Sequence, residues 1–97
     1  MAKKYSKEQI EEALPDYKGW SINPNDQIEK TYEFKTFASA ILFVNAVAQR
    51  SEMLNHHPDI LVLFNKVTLS LSTHDAGGVT EKDFELAQET DSLIAKP

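Results

Sequence analysis

From Phe37 to Leu54 the chain contains neither glycine nor proline. Over that stretch Phe37, Ala38, Ala40, Ile41, Leu42, Phe43, Val44, Ala46, Val47 and Ala48 cover nearly the whole circumference of a helix. A helix that is apolar all round is buried on more than one side, so this one must lie against the core and against something else. The chain has only 97 residues, 41% of them hydrophobic, which is enough for one core and not for two. Self-association is therefore an early expectation.

The sequence on either side of this helix is strand-like. Ser6 followed by Gln9 has the spacing of a capping box, with Ile10, Ala13 and Leu14 as a short apolar stripe before Pro15. Trp20 and Ile22 alternate with polar neighbours, Asn23-Pro24-Asn25-Asp26 reads as a turn, and Ile28, Tyr32 and Phe34 alternate with Glu29, Thr31, Glu33 and Lys35. After the helix, Ile60 to Phe64 is a continuous apolar run, as expected of a strand covered on both faces. Val67, Leu69 and Leu71 then alternate with Thr68, Ser70 and Ser72. Gly77-Gly78 form an exit loop, Thr80 caps a last helix, and Phe84, Ala87 and Ile94 make its inner face before a frayed end at Lys96-Pro97.

The expected fold is thus α+β, a single domain over residues 1–97 in the order α-β-β-α-β-β-α. A four-stranded antiparallel sheet carries the helices on one face and leaves the other open. The polar row Thr68, Ser70 and Ser72 lines the open face, and His74 falls in register with it if the alternation continues.

Composition removes several function classes. There is no cysteine, hence no disulfide, no thiolate nucleophile and no zinc-thiolate site, which suits a reducing cytoplasm. No segment approaches the roughly 20 apolar residues needed to span a bilayer, and the polar start Ala2-Lys3-Lys4-Tyr5 has no secretion-signal core behind it. A net charge of -5, with no basic run longer than Lys3-Lys4, argues against direct nucleic-acid binding.

The chemistry concentrates on the three histidines. His56 and His57 stand beside Asn55 and Pro58, and His74 precedes the glycine pair, so all of them flank turns where side chains can converge on a small molecule. Imidazole titrates near neutrality, with an ordinary pKa of about 6.5, which suits proton transfer. A metal site is the competing use of three imidazoles, with Glu52, Asp75 or Asp83 as a fourth ligand, but no familiar metal-ligand spacing is present. Each position also has a plain structural reading. His-His-Pro is a simple helix exit, Asp83 is the capping-box partner of Thr80, Glu52 is a solvated helix residue, and Trp20 is core.

The segments Glu52-Met53-Leu54-Asn55-His56-His57-Pro58, Asn65-Lys66-Val67, and Thr73-His74 leading to Gly78-Val79-Thr80 and Asp83 together resemble the pterin-4a-carbinolamine dehydratase family. The resemblance extends upstream through Leu14-Pro15, Gly19-Trp20, Phe34-Lys35 and Phe37, so it spans nearly the whole chain. It implies removal of water from 4a-hydroxytetrahydropterin to give quinonoid dihydropterin, with no metal and no redox cofactor. It further implies that His56 and His74 act as proton donor and acceptor and that His57 holds the pterin ring. Asn55, Ser72, Thr73 and Asp75 would contact the substrate, Glu52 and Asp83 would orient or charge the histidines, and Trp20 would wall the pocket.

The chain departs from the family pattern at three places. Ile60 stands where an aromatic residue is common, Phe64 replaces a usual tyrosine, and Lys82 stands where arginine is frequent. Some relatives also bind proteins, stabilising a transcription factor's dimer through the surface with which they otherwise self-associate. A non-catalytic binding module is therefore the alternative function, and a homodimer or homotetramer is the expected assembly.

Overall fold

A computed structural model describes residues 2–94; Lys96 and Pro97, expected to fray, lie outside the described residues. The first helix, α1 (Lys7–Ala13), starts on the expected capping box. Ser6 Oγ accepts from the Gln9 N–H (3.1 Å), and Gln9 Oε1 accepts from the Ser6 N–H (2.8 Å). Pro15 then diverts the chain into a 3-10 turn, Leu14–Asp16. Strands β1 (Ser21–Ile22) and β2 (Ile28–Glu33) are joined by a loop in which Asn23 Oδ1 accepts from the N–H groups of Asn25 and Gln27, both at 2.9 Å. Helix α2 (Phe37–Leu54) begins at Thr36, whose hydroxyl accepts from the Ser39 N–H (3.0 Å). Strands β3 (Asp59–Leu63) and β4 (Lys66–Leu71) form the second hairpin, and α3 (Glu81–Ile94) closes the chain.

The strands order as β1-β2-β4-β3, every pair antiparallel, so the two hairpins meet where β2 pairs with β4 from Ile28↔Leu71 to Glu33↔Lys66. Pleating sends Ile28 and Tyr32 to the same face as Val67, Leu69 and Leu71. There they meet Ala40, Phe43 and Val47 of α2 and Phe84, Leu86 and Ala87 of α3 in one core. The opposite face is polar, with the Thr31 and Thr68 hydroxyls 2.7 Å apart and Ser70 Oγ donating to Glu29 Oε1 at 3.1 Å. Among the described residues no helix is long and apolar enough to cross a membrane.

Four expectations change. Helix α2 is buried only along the stripe Ala40, Phe43, Val47 and Ser51, while Phe37 and Leu42 are 52% and 69% exposed. Strand β3 is not covered on both faces: it is an outer strand bonded only to β4, and Leu61 and Leu63 are 53% and 62% exposed. The physical reason is the strand order, which spends the helical cover on the central pair. On α3, Thr90 takes the inner position and Ile94 is 43% exposed. Finally, the alternation of β4 carries on only as far as buried Thr73, which bridges to Gly78; His74 then opens a 3-10 turn, His74–Ala76, and stands at the sheet's end rather than on the strand.

Candidate active site

The end of α2 aims the first two histidines. Asn55 adopts the left-handed conformation (φ 52°), its N–H reaches the Glu52 carbonyl (3.2 Å), and the N–H of His56 reaches the Ser51 carbonyl (3.0 Å). These paired bonds are a Schellman ending, and asparagine is one of the few side chains that enters the left-handed region at modest cost. The chain reverses there, and Pro58 leads it into β3.

Beneath the histidines lies a carboxylate with no solvent exposure. His56 Nε2 is 2.6 Å from Asp83 Oδ1, while Asp83 Oδ2 accepts from the Thr73 hydroxyl (2.8 Å) and from the Thr80 N–H (2.8 Å). A buried charge is tolerated only when it is paired and fully hydrogen-bonded, and these three donors meet that condition. An ionised carboxylate only accepts, so His56 Nε2 carries the proton and Nδ1 is the nitrogen left for other work. The same logic orients the hydroxyls. Thr73 donates to Asp83, Thr80 therefore donates to Thr73 (2.7 Å), and Thr80 Oγ1 accepts from the Lys82 N–H (3.2 Å). Asp83 is thus both the reciprocal partner of Thr80 at the start of α3 and the partner of His56.

The second pair is open to water. His57 Nε2 lies 2.5 Å from Glu52 Oε2, both side chains being more than half exposed. In that setting the pair orients the ring and adds little stability.

A cleft of about 330 Å³ gathers these groups. Asn55, His56 and His57 line it from the end of α2, Ser72, Thr73, His74 and Asp75 from the segment after β4, and Lys82 from the first turn of α3. Glu52 stands behind His57 and Asp83 lies below the floor, so neither lines it. Trp20 is the expectation the structure corrects. It lies in the core at 5% exposure, its Nε1 donates to Asp91 Oδ2 (3.0 Å), and it lines neither this cleft nor the neighbouring one. Lys82, noted in the sequence only as a departure from the family pattern, also lines the cleft. Its position one residue before Asp83 was the available signal, because the cap that buries Asp83 fixes that turn beside the histidines.

The cleft therefore offers an imidazole backed by a buried carboxylate, an imidazole backed by an exposed one, and His74 from the opposite side. Such a set can deliver and remove protons on one bound molecule. Among the described residues, no three histidine, aspartate or glutamate side chains are grouped so as to hold a metal ion.

Fold and cleft together define an α+β domain of two hairpins under helices, with a histidine cleft at one end of the sheet. The family model for pterin 4 alpha carbinolamine dehydratase matches residues 3–93, and the chain belongs to that family. A protein of Roseiflexus sp. (strain RS-1) named for the same dehydratase is 50% identical over 94 residues, covering 97% of this chain and 100% of its own length. One from Sulfurisphaera tokodaii, named likewise, is 46% identical over 92 residues, covering 95% and 98%. The crystal structure of a transcriptional coactivator/pterin dehydratase from Brucella melitensis superposes with a TM-score of 0.87 at 31% identity, covering 93% of this chain and 97% of that one. A pterin dehydratase-like RuBisCO assembly factor of the alpha-carboxysome shares the fold, with a TM-score of 0.67 at 23% identity over 81% of this chain.

Proposed function

We propose that the histidine cleft dehydrates 4a-hydroxytetrahydropterin to quinonoid dihydropterin, returning an oxidised pterin to a form that a reductase can recycle. The C4a hydroxyl leaves as water once a proton is placed on its oxygen, and the C4a=N5 double bond closes as the N5 proton is removed. One proton enters and one departs, so no oxidant or reductant is consumed. His56 and His74 are the donor and acceptor, each worth about 10²- to 10⁴-fold if positioned. His57, steadied by Glu52, holds the ring, with Asn55, Ser72, Thr73 and Asp75 as contacts along the cleft.

The observation that carries this reading is the convergence of all three histidines on one cleft, with Asp83 buried against His56. Asp83 leaves His56 Nδ1 as a free acceptor or, when protonated, a donor. His74 has no hydrogen-bonded side-chain partner among the described residues and lines the cleft from the facing segment. The direct test generates 4a-hydroxytetrahydropterin in place and follows quinonoid product with the intact protein and with His74→Ala. The variant should lose orders of magnitude in turnover while its circular dichroism spectrum is unchanged; an unaltered rate would remove His74 from the mechanism.

The uncovered apolar surface supports self-association into a dimer or tetramer. Phe37 and Leu42 on α2, and Leu61, Leu63 and Phe64 around β3, are all more than half exposed. Apolar surface on this scale marks contact with a partner, and an unpaired apolar edge strand is a template for another strand. The same surface is what a non-catalytic binding module would use, and that second reading is kept for it. It gives no reason, however, for three imidazoles to meet over a buried carboxylate.

A further inference from the structure

A second, larger cleft of about 660 Å³ adjoins the histidine cleft and shares Ser72, Thr73 and His74 with it as a common wall. Its floor is partly apolar, from Ile10, Ile22 and Val79, and its rim carries Lys4 and Lys7. The backbone beside exposed Lys4 is anchored through Tyr5. The Tyr5 N–H donates to the Val79 carbonyl (2.8 Å), the Tyr5 ring stacks on Phe84 with centroids 5.6 Å apart, and the Lys4 stem crosses Gly78. A Cβ at position 78 would fall 2.9 Å from Lys4 Cε, so the lysine stem lies directly over Gly78.

The charge balance of this cleft is opposite to that of the molecule. The chain carries a net charge of -5, yet here Lys4 and Lys7 face a single carboxylate, Asp26, while across the shared wall Lys82 is matched by Asp75. Among the described residues none of these three lysines is ion-paired. Two unpaired ammonium groups over a half-apolar floor suit a ligand with a carbon chain ending in a dianion, since lysine binds phosphate as a point charge.

We infer that the lysine cleft receives the side chain of the substrate and selects for one ending in a phosphate. The inference rests on the histidine cleft being the pterin site: the ring occupies that cleft, and the substituent crosses the Ser72–His74 wall toward Lys4 and Lys7. The neutral side chains of other pterins would fill the same cleft without using its charge.

The test is a fluorescence titration with two stable dihydropterins, 6-(trihydroxypropyl)-7,8-dihydropterin and its terminal phosphate monoester. The phosphate ester should bind about fivefold or more tightly at low salt, the range expected of two partly exposed ion pairs, and the preference should shrink as salt screens the charges. In the double variant Lys4→Ala/Lys7→Ala the ratio of the two affinities should fall to near one, and Lys4→Arg/Lys7→Arg should restore it. Equal affinities in the unaltered protein would overturn the phosphate preference while leaving the pterin site standing. Binding of neither compound would overturn both, and a preference that survives the alanine pair would overturn the assignment to these lysines.

Discussion

Asp83 is the residue on which the helix cap and the proposed catalytic histidine meet. It closes the first turn of α3 through Thr80 and holds the protonated nitrogen of His56, with no solvent to replace either contact. Asp83→Asn keeps one accepting oxygen and turns the other into an amide that cannot accept, so either the His56 contact or the Thr73 and Thr80 contacts are lost. The variant should lose about 1–3 kcal/mol of stability in urea unfolding, the usual cost of leaving a buried polar group unsatisfied, together with a drop in kcat. Lost stability with kcat unchanged would reduce Asp83 to a cap. The two roles were not equally legible in the sequence. Thr80 and Asp83 are three residues apart, a local pattern that announces a capping box, whereas His56 and Asp83 are 27 apart and nothing in their spacing pairs them. Trp20 shows the opposite failure. An aromatic residue serves equally well as pocket wall or core, and what decides is a partner on a distant helix, Asp91, that satisfies the indole N–H.

At the level of elements, Asp91 also explains how α3 is pinned to the sheet. Its carboxylate accepts from Tyr32 Oη (2.5 Å) and Lys30 Nζ (2.7 Å) on β2 as well as from Trp20. Burial, reinforced by the neighbouring carboxylate, pushes the Tyr32 hydroxyl far above its ordinary range, so it remains a donor in the folded protein. The linkage has a definite sign. The unfolded chain releases this proton near pH 10 and the folded one does not, so the contribution is complete below pH 10 and is lost as pH rises beyond it, at about 1.4 kcal/mol per pH unit. Tyr32→Phe should be less stable at pH 7 by about 0.5–1.5 kcal/mol and should show a shallower decline in unfolding free energy between about pH 10 and 11. Parallel declines would contradict the assignment. Local patterns foretold most of the elements, including the capping box of α1, the glycine-free span of α2 and the alternation of β4. The edge position of β3 was not foretold, because a continuous apolar run looks the same in a strand covered by helices and in one left for a partner. Sheet order depends on which hairpins meet, and no local signal carries that.

For the whole molecule, the apolar face of α2 and the edge of β3 point outward in one chain, as the all-round hydrophobicity of Phe37 to Ala48 foreshadowed. In sedimentation equilibrium the protein should behave as a dimer or tetramer, and Leu61→Lys with Leu63→Lys should shift it toward smaller species; a unaltered protein that stays monomeric at high concentration would contradict assembly through this surface. His56, His57 and His74 line one cleft of the chain. The central claim is that the three histidines dehydrate a pterin carbinolamine, and the coupled assay with the unaltered protein beside His74→Ala tests it most directly. Accelerated formation of quinonoid dihydropterin, largely abolished in a variant that still folds, is the predicted result. No acceleration by the unaltered protein would contradict the claim and leave the exposed apolar surface as its functional face.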